Sequence, residues 1–129
     1  MKKFKGTGVA IVTPFKNDSS IDFMAMGRVL NHVISGGVNY IVLMGTTGES
    51  VTLTKDEKQA LISYVAEVID KRVPLVIGIG GNNTQEVINS IKHFDLSPAD
   101  GILSVAPYYN KPGQKGIIEH FKAISSCSP

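Results

Sequence analysis

Four times along this chain a short β-branched run is followed by a loop carrying Gly or Pro and then by apolar residues at helical spacing. The first unit pairs a strand over Gly8–Val12 with a helix over roughly 22–35, where Met26, Val29, Leu30 and Val33 share one face and Gly36-Gly37 ends it. The second has a strand over 38–43 and a helix from Thr54. There Thr54-Lys55-Asp56-Glu57 spells a capping box, and Leu61, Ile62, Val65, Val68 and Ile69 form the buried stripe. The third has a strand over 75–79 and a helix starting near Asn83 or Thr84, with Glu86 in its first turn and Val87, Ile88 and Ile91 inward. The fourth has a strand over 101–105, a long loop, and a helix from about Gln114 carrying Ile117, Ile118, Phe121 and Ile124. Nearly continuous apolar strands separated by helices predict an α/β chain with a parallel sheet covered by helices. Both the doubly wound sheet and the (βα)8 barrel are built from such units, and periodicity does not separate them. Four units are half of an eight-fold barrel, whose usual length is about 250 residues.

Bulk properties narrow the function classes. A length of 129 residues, 43% hydrophobic and 19% charged, suits one globular domain with its own core. No linker, repeat of low complexity or second domain interrupts it. A net charge of +2, from 13 basic and 11 acidic residues, gives no reason to expect nucleic acid or an anionic membrane as partner. Lys2, Lys3 and Lys5 are followed by only a short apolar stretch, Val9–Val12, stopped by Pro14, which is no signal peptide. No run approaches the roughly 20 apolar residues of a membrane helix. The lone Cys127 has no internal disulfide partner, so a reducing, cytoplasmic setting is expected.

Leu43-Met44-Gly45-Thr46-Thr47-Gly48-Glu49-Ser50 sits at the C-terminal mouth of the second strand, ahead of a helix. Parallel α/β folds bind ligands at that end of their strands. Threonine hydroxyls and free backbone N–H groups there can hold a carboxylate or phosphate. The plainer account is a tight turn in which glycine takes a positive φ and Thr satisfies the backbone. Glu49 and Ser50 read as a first-turn acid and a turn donor. Gly78-Ile79-Gly80-Gly81-Asn82-Asn83 follows the third strand, but a dinucleotide fingerprint needs glycine where Asn83 stands, so a close turn with Asn as helix cap fits better. Ala106-Pro107-Tyr108-Tyr109-Asn110-Lys111-Pro112-Gly113 is a stiff polar-aromatic loop after the fourth strand. One phenol there could shuttle protons, or one ring could pack in the core while the other covers an interface. His32, His93 and His120 fall in helices without metal-ligand spacing and read as surface residues, so no metal site is expected.

Taken together, Gly6-Thr7-Gly8-Val9-Ala10 through Thr13-Pro14-Phe15, Gly45-Thr46-Thr47-Gly48-Glu49-Ser50, Gly78-Ile79-Gly80-Gly81-Asn82-Asn83-Thr84 and Pro107-Tyr108-Tyr109-Asn110-Lys111-Pro112 resemble the dihydrodipicolinate synthase branch of the class I pyruvate aldolases, which also include N-acetylneuraminate lyase. The segments occur in family order and span essentially the whole chain. The resemblance implies a (βα)8 TIM barrel, with residues 1–129 as the N-terminal half of a single barrel domain covering its first four βα units. It implies condensation of pyruvate with aspartate-4-semialdehyde through a lysine Schiff base, in lysine and diaminopimelate biosynthesis. No cofactor is implied, and the expected assembly is a homotetramer, a dimer of dimers. Thr47 would hold the pyruvate carboxylate. Thr46 would be the middle of a hydroxyl relay between two tyrosines, of which Tyr109 is one, presented across a dimer interface. Ser50, Asn82, Glu86 and Tyr108 match a lysine feedback site at a dimer interface. Lys55 and Lys58 stand where the feedback-sensitive bacterial form has histidines, which implies weak lysine inhibition.

The family's Schiff-base lysine lies at the end of the sixth strand, and its other relay tyrosine and substrate arginine lie just after the fifth. Neither strand is in this sequence, and Lys111 is not at the nucleophile's position. The 129 residues alone are therefore expected to be inactive, as a fragment of an active enzyme. The competing expectations are a sugar-acid aldolase of the sialate-lyase type and, from another class, a non-catalytic half barrel that only self-associates through an apolar inner face and open sheet edges.

Overall fold

The computed structural model describes residues 3–129. The four units appear in order: β1 (Gly8–Ala10) and α1 (Phe23–Ser35), β2 (Tyr40–Leu43) and α2 (Lys55–Ile69), β3 (Leu75–Gly78) and α3 (Thr84–His93), β4 (Gly101–Leu103) and α4 (Gln114–Ser125). Each helix begins near its expected signal. Thr54 caps α2 in a reciprocal capping box, its hydroxyl accepting from the Glu57 N–H while the Glu57 carboxylate accepts from the Thr54 N–H. Asn83 caps α3 by accepting from the N–H groups of Gln85 and Glu86. Asp22 caps α1 by accepting from the Ala25 N–H at 2.8 Å. Gly36-Gly37 ends α1, with Gly37 at φ +87°, a conformation that glycine adopts without strain.

All four strands run parallel in the sheet order β1-β2-β3-β4. Parallel crossovers are right-handed, so stepping always to the next strand in one direction lays every helix on the same face. A doubly wound sheet reverses direction and covers both faces; this one does not reverse. The winding is that of a barrel wall.

Burial follows from that winding. Ile41, Leu43, Leu75 and Ile77 point to the helix side and are buried with Met26, Leu30, Leu61, Ile62 and Val65 from α1 and α2, and Val87 and Ile91 from α3. The cross-strand pairs Ile41↔Leu75 and Leu43↔Ile77↔Ile102 stack this side in register. The opposite face carries Ala10, Val42, Val76 and Leu103, and Leu103 is 51% exposed. Helices thus cover one face of the sheet, not two. α1 seats on α2 through an edge-to-face contact of Phe23 and Tyr64, ring centroids 5.1 Å apart, made possible by the missing side chain of Gly27 against the Tyr64 hydroxyl.

The strands are shorter than the apolar runs predict. The runs over 8–12, 75–79 and 101–105 overrun the paired residues at the mouth end, where the chain diverges into the loops, whereas the run over 38–43 ends with β2 at Leu43 and overruns it only at its start. Single bonds persist just past the strand ends, from the Ile11 N–H to the Val42 carbonyl at 3.1 Å and from the Ile79 N–H to the Leu103 carbonyl at 3.0 Å. At the opposite end Asp100 forms an ion pair with Lys3, and its second oxygen accepts from the Leu75 N–H at 2.8 Å, tying the N-terminus to the start of β3.

Candidate active site

The mouth of β2 is built by backbone geometry. Met44, 2% exposed, takes φ +57°, and the chain then runs through extended Gly45 into a 3-10 turn over Thr46–Gly48. Gly48 donates to the Gly45 carbonyl at 3.0 Å and Glu49 to the Thr46 carbonyl at 3.1 Å. The N–H groups of Thr46 and Thr47 precede the first donor of that turn and are left over by it. Both threonine side chains are exposed. Glu49 takes φ +53° and joins this turn to a second, Ser50–Thr52.

Two expectations are corrected here. Positive φ falls on Met44 and Glu49, not on the glycines of the motif. Such residues cost on the order of 1–3 kcal/mol each and persist only where the surroundings over-determine them. Glu49 is also not in the first turn of α2; it forms the junction between two 3-10 turns ahead of it, the second of which Ser50 opens. Gly48 is closely packed instead, since a Cβ there would stand 3.2 Å from the Ile11 carbonyl oxygen, near enough that the neighbour would have to give by a few tenths of an ångström. Gly78 is required more strictly, because its Cβ would overlap the Met44 carbonyl.

Thr13 holds this mouth, and sequence reasoning gave it no role of its own. It is 4% exposed and its hydroxyl donates to the Gly48 carbonyl at 2.7 Å, bridging the end of β1 to the Thr46–Thr47 turn. A signal was present: Val9, Ile11 and Thr13 alternate on one side of an extended segment, so Thr13 is a polar residue at a core-facing position.

The second mouth joins the loops after β3 and β4. The Asn82 side-chain oxygen accepts from the N–H of Tyr108 at 2.8 Å and of Tyr109 at 3.1 Å. Both rings remain outside the core, Tyr108 51% and Tyr109 87% exposed, so neither serves as core packing. Among the described residues no hydrogen bond joins Tyr109 to Thr46. The structure therefore brings together Asn82, Tyr108 and Tyr109, and separately Thr46, Thr47 and Thr13. Ser50 is half-buried in its turn, and Glu86 is exposed in the first turn of α3.

His120 departs from its expected surface position. It is buried between α4 and α3, with Nδ1 2.8 Å from the Thr84 hydroxyl and Nε2 without a partner. His32 and His93 are exposed as expected. On α2, burial pushes the Lys58 ammonium below its ordinary 10.5, and the neighbouring Lys55 charge adds to the effect.

The model of the dihydrodipicolinate synthetase family matches residues 3–129. The chain belongs to this family. A 4-hydroxy-tetrahydrodipicolinate synthase of Flavobacterium psychrophilum is 53% identical over all of this chain, which covers 44% of that protein. The crystal structure of a dihydrodipicolinate synthase from Bacillus anthracis superposes with a TM-score of 0.90 at 46% identity, over 96% of this chain and 43% of that one. A prophage protein of the family from E. coli K12, solved in complex with pyruvate, matches with a TM-score of 0.88 at 30% identity, over 96% of this chain and 42% of that one. The chain thus spans less than half the length of the relatives it matches. With the one-directional strand order, it constitutes the first four βα units of a (βα)8 barrel. No helix of the described residues is long and apolar enough to cross a membrane.

Proposed function

We propose that the single-domain barrel carrying these residues is a 4-hydroxy-tetrahydrodipicolinate synthase that condenses pyruvate with aspartate-4-semialdehyde in lysine and diaminopimelate biosynthesis. The observation that carries this reading is the Thr46–Thr47 turn at the mouth of β2, both residues exposed and with two N–H groups left over by its own backbone bonds. Thr47 binds the pyruvate carboxylate through its hydroxyl and N–H. A lysine amine from the remainder of the barrel attacks the pyruvate carbonyl and water leaves, giving an imine. Loss of a methyl proton yields an enamine whose carbon attacks the aldehyde. These steps move protons, and Thr46 and Tyr109 act as a hydroxyl relay that passes them without bulk water. Tyr109 reaches the site of a second subunit across a dimer interface, in a dimer of dimers working in the cytoplasm. Its 87% exposure in a single chain supports that placement.

Ser50, Asn82, Glu86 and Tyr108 form a lysine effector site at the same interface. The Asn82 oxygen is committed to two backbone donors, so its amide NH2 is what remains to offer the effector carboxylate.

The 129 residues alone lack the nucleophile and are inactive. Intact mass after treatment with pyruvate and borohydride tests this. The 13.8 kDa chain should carry no adduct, and the full-length protein should carry one reduced pyruvate. An adduct on the short chain refutes the assignment. Turnover of N-acetylneuraminate in preference to aspartate-4-semialdehyde would move the protein to the sugar-acid lyases.

A further inference from the structure

We infer that Asn82 is a positioning residue for the Tyr109 hydroxyl, an inference that rests on the relay proposed above. Tyr109 sits in a loop seated on one apolar side chain, buried Pro107, with the tyrosines themselves outside the core. Its ring is 87% exposed, and Lys111 two residues on takes φ +40°. The clear polar attachment of this loop to the β3 side is a single oxygen, Asn82 Oδ1, gathering two consecutive N–H groups at 2.8 and 3.1 Å. Two backbone donors on one acceptor fix the direction of the peptide between Tyr108 and Tyr109, and with it the direction in which the Tyr109 side chain leaves the chain. The donors also fix the amide orientation, since the NH2 end would face two N–H groups.

The anchor is itself immobilised. Asn83, the next residue, caps α3 by accepting from Gln85 and Glu86, and Thr84 is bonded to buried His120 of α4 at 2.8 Å. The β3–α3 turn is therefore tied to the fourth unit at both ends, by its loop through Asn82 and by its helix through Thr84. A relay hydroxyl transfers protons only within hydrogen-bond reach of its neighbours, and a displacement near 1 Å can cost about a hundredfold in rate.

The test uses the full-length protein and three variants, Asn82→Leu, Asn82→Asp and Tyr109→Phe, with Asn82→Ser, too short to reach both amides, serving if the leucine variant is insoluble. Asn82→Leu should lower kcat about ten- to a hundredfold with the pyruvate KM within twofold. It should also speed amide exchange at Tyr108 and Tyr109 about tenfold. Asn82→Asp keeps the acceptor and should recover most of the loss. In a Tyr109→Phe background Asn82→Leu should add little, because the hydroxyl it positions is gone. Unchanged exchange, a failed aspartate rescue, or full activity in Asn82→Leu while Tyr109→Phe is impaired would each overturn the inference and leave the relay standing. An unimpaired Tyr109→Phe would remove the relay itself, and the inference with it.

Discussion

Replacing Thr13 by valine removes one hydroxyl and nothing else of consequence. The two side chains have nearly the same volume and the site is 4% exposed, so packing is kept and the lost term is the bond to the Gly48 carbonyl. Gly48 is buried and so is its bond with Thr13, so no water replaces the donor readily. A buried acceptor left unsatisfied costs about 1–3 kcal/mol. Part of that cost should appear in function, because the bond ties the Thr46–Thr47 turn to β1, and two residues of the turn's frame, Met44 and Glu49, already sit at positive φ. Urea denaturation of the full-length protein should show the midpoint falling with an unchanged m-value, equivalent to about 1–3 kcal/mol. The pyruvate KM should rise several-fold while Thr13→Ser, which keeps the donor, stays near the parent in KM. A Thr13→Val protein with parent stability and parent KM would refute the claim that this bond sets the turn.

Gly78→Ala should be far more damaging than a surface helix substitution, since its Cβ would overlap the Met44 carbonyl and stand 2.9 Å from the Gly45 nitrogen, both backbone atoms; loss of soluble protein or a fall in Tm of about 6–12 °C is expected, corresponding to about 3 kcal/mol by analogy with overpacked cores. For Asp100, burial works to raise the carboxyl, but the Lys3 ammonium and the Leu75 N–H outweigh it and hold the group below its ordinary 3.8. Its stabilisation is therefore complete above the unfolded value and is lost as pH falls through the lower folded value, so Asp100→Asn should flatten the loss of stability below about pH 4 measured by thermal melts. Lysine should inhibit the full-length enzyme weakly, because Lys55 and Lys58 place two positive charges on the first turns of α2, where burial and then the Lys55 charge already lower Lys58, and an incoming ammonium adds to the repulsion; a sub-millimolar inhibition constant would contradict this, and replacing both by histidine should tighten inhibition.

Local signals carried most of the architecture. The Thr54–Glu57 box, the Asn83 cap and the Gly36-Gly37 stop are each completed within four residues, so their chemistry is visible without knowing the fold. The apolar stripe of α2 reads well for the same reason, with Leu61, Ile62, Val65 and Ile69 buried and Val68 partly buried against them. Strand ends read poorly because a β-branched run continues past the last paired residue; pairing depends on where a neighbour diverges, which no local pattern encodes. α4 shows the other limit. Ile117, Ile118, Phe121 and Ile124 have the period of a buried face, yet Ile124 alone of them is buried and Ile118 is 53% exposed. A periodic stripe says that a face wants cover, not that these 129 residues supply it.

The site divides along the same line. Thr46, Thr47 and Tyr109 stood out as candidates because a motif at a strand mouth is a contiguous string. The residues that hold those strings in place were not. Thr13 is 35 positions from Gly48, Asn82 is 26 from Tyr108, and Thr84 is 36 from His120. Each of these bonds closes one βα unit onto another at the mouth or helix layer, and each pairs a polar side chain with a partner that only the right-handed crossover brings near. His120 is the sharpest instance: on its own helix it sits between residues of mixed character, and only the approach of α3 makes it a core residue rather than a surface one. The candidate groups of this barrel mouth are thus written along its loops, whereas the bonds that hold those loops are written between them, and substitutions at Thr13, Asn82 and Thr84 are where the second layer can be measured apart from the first.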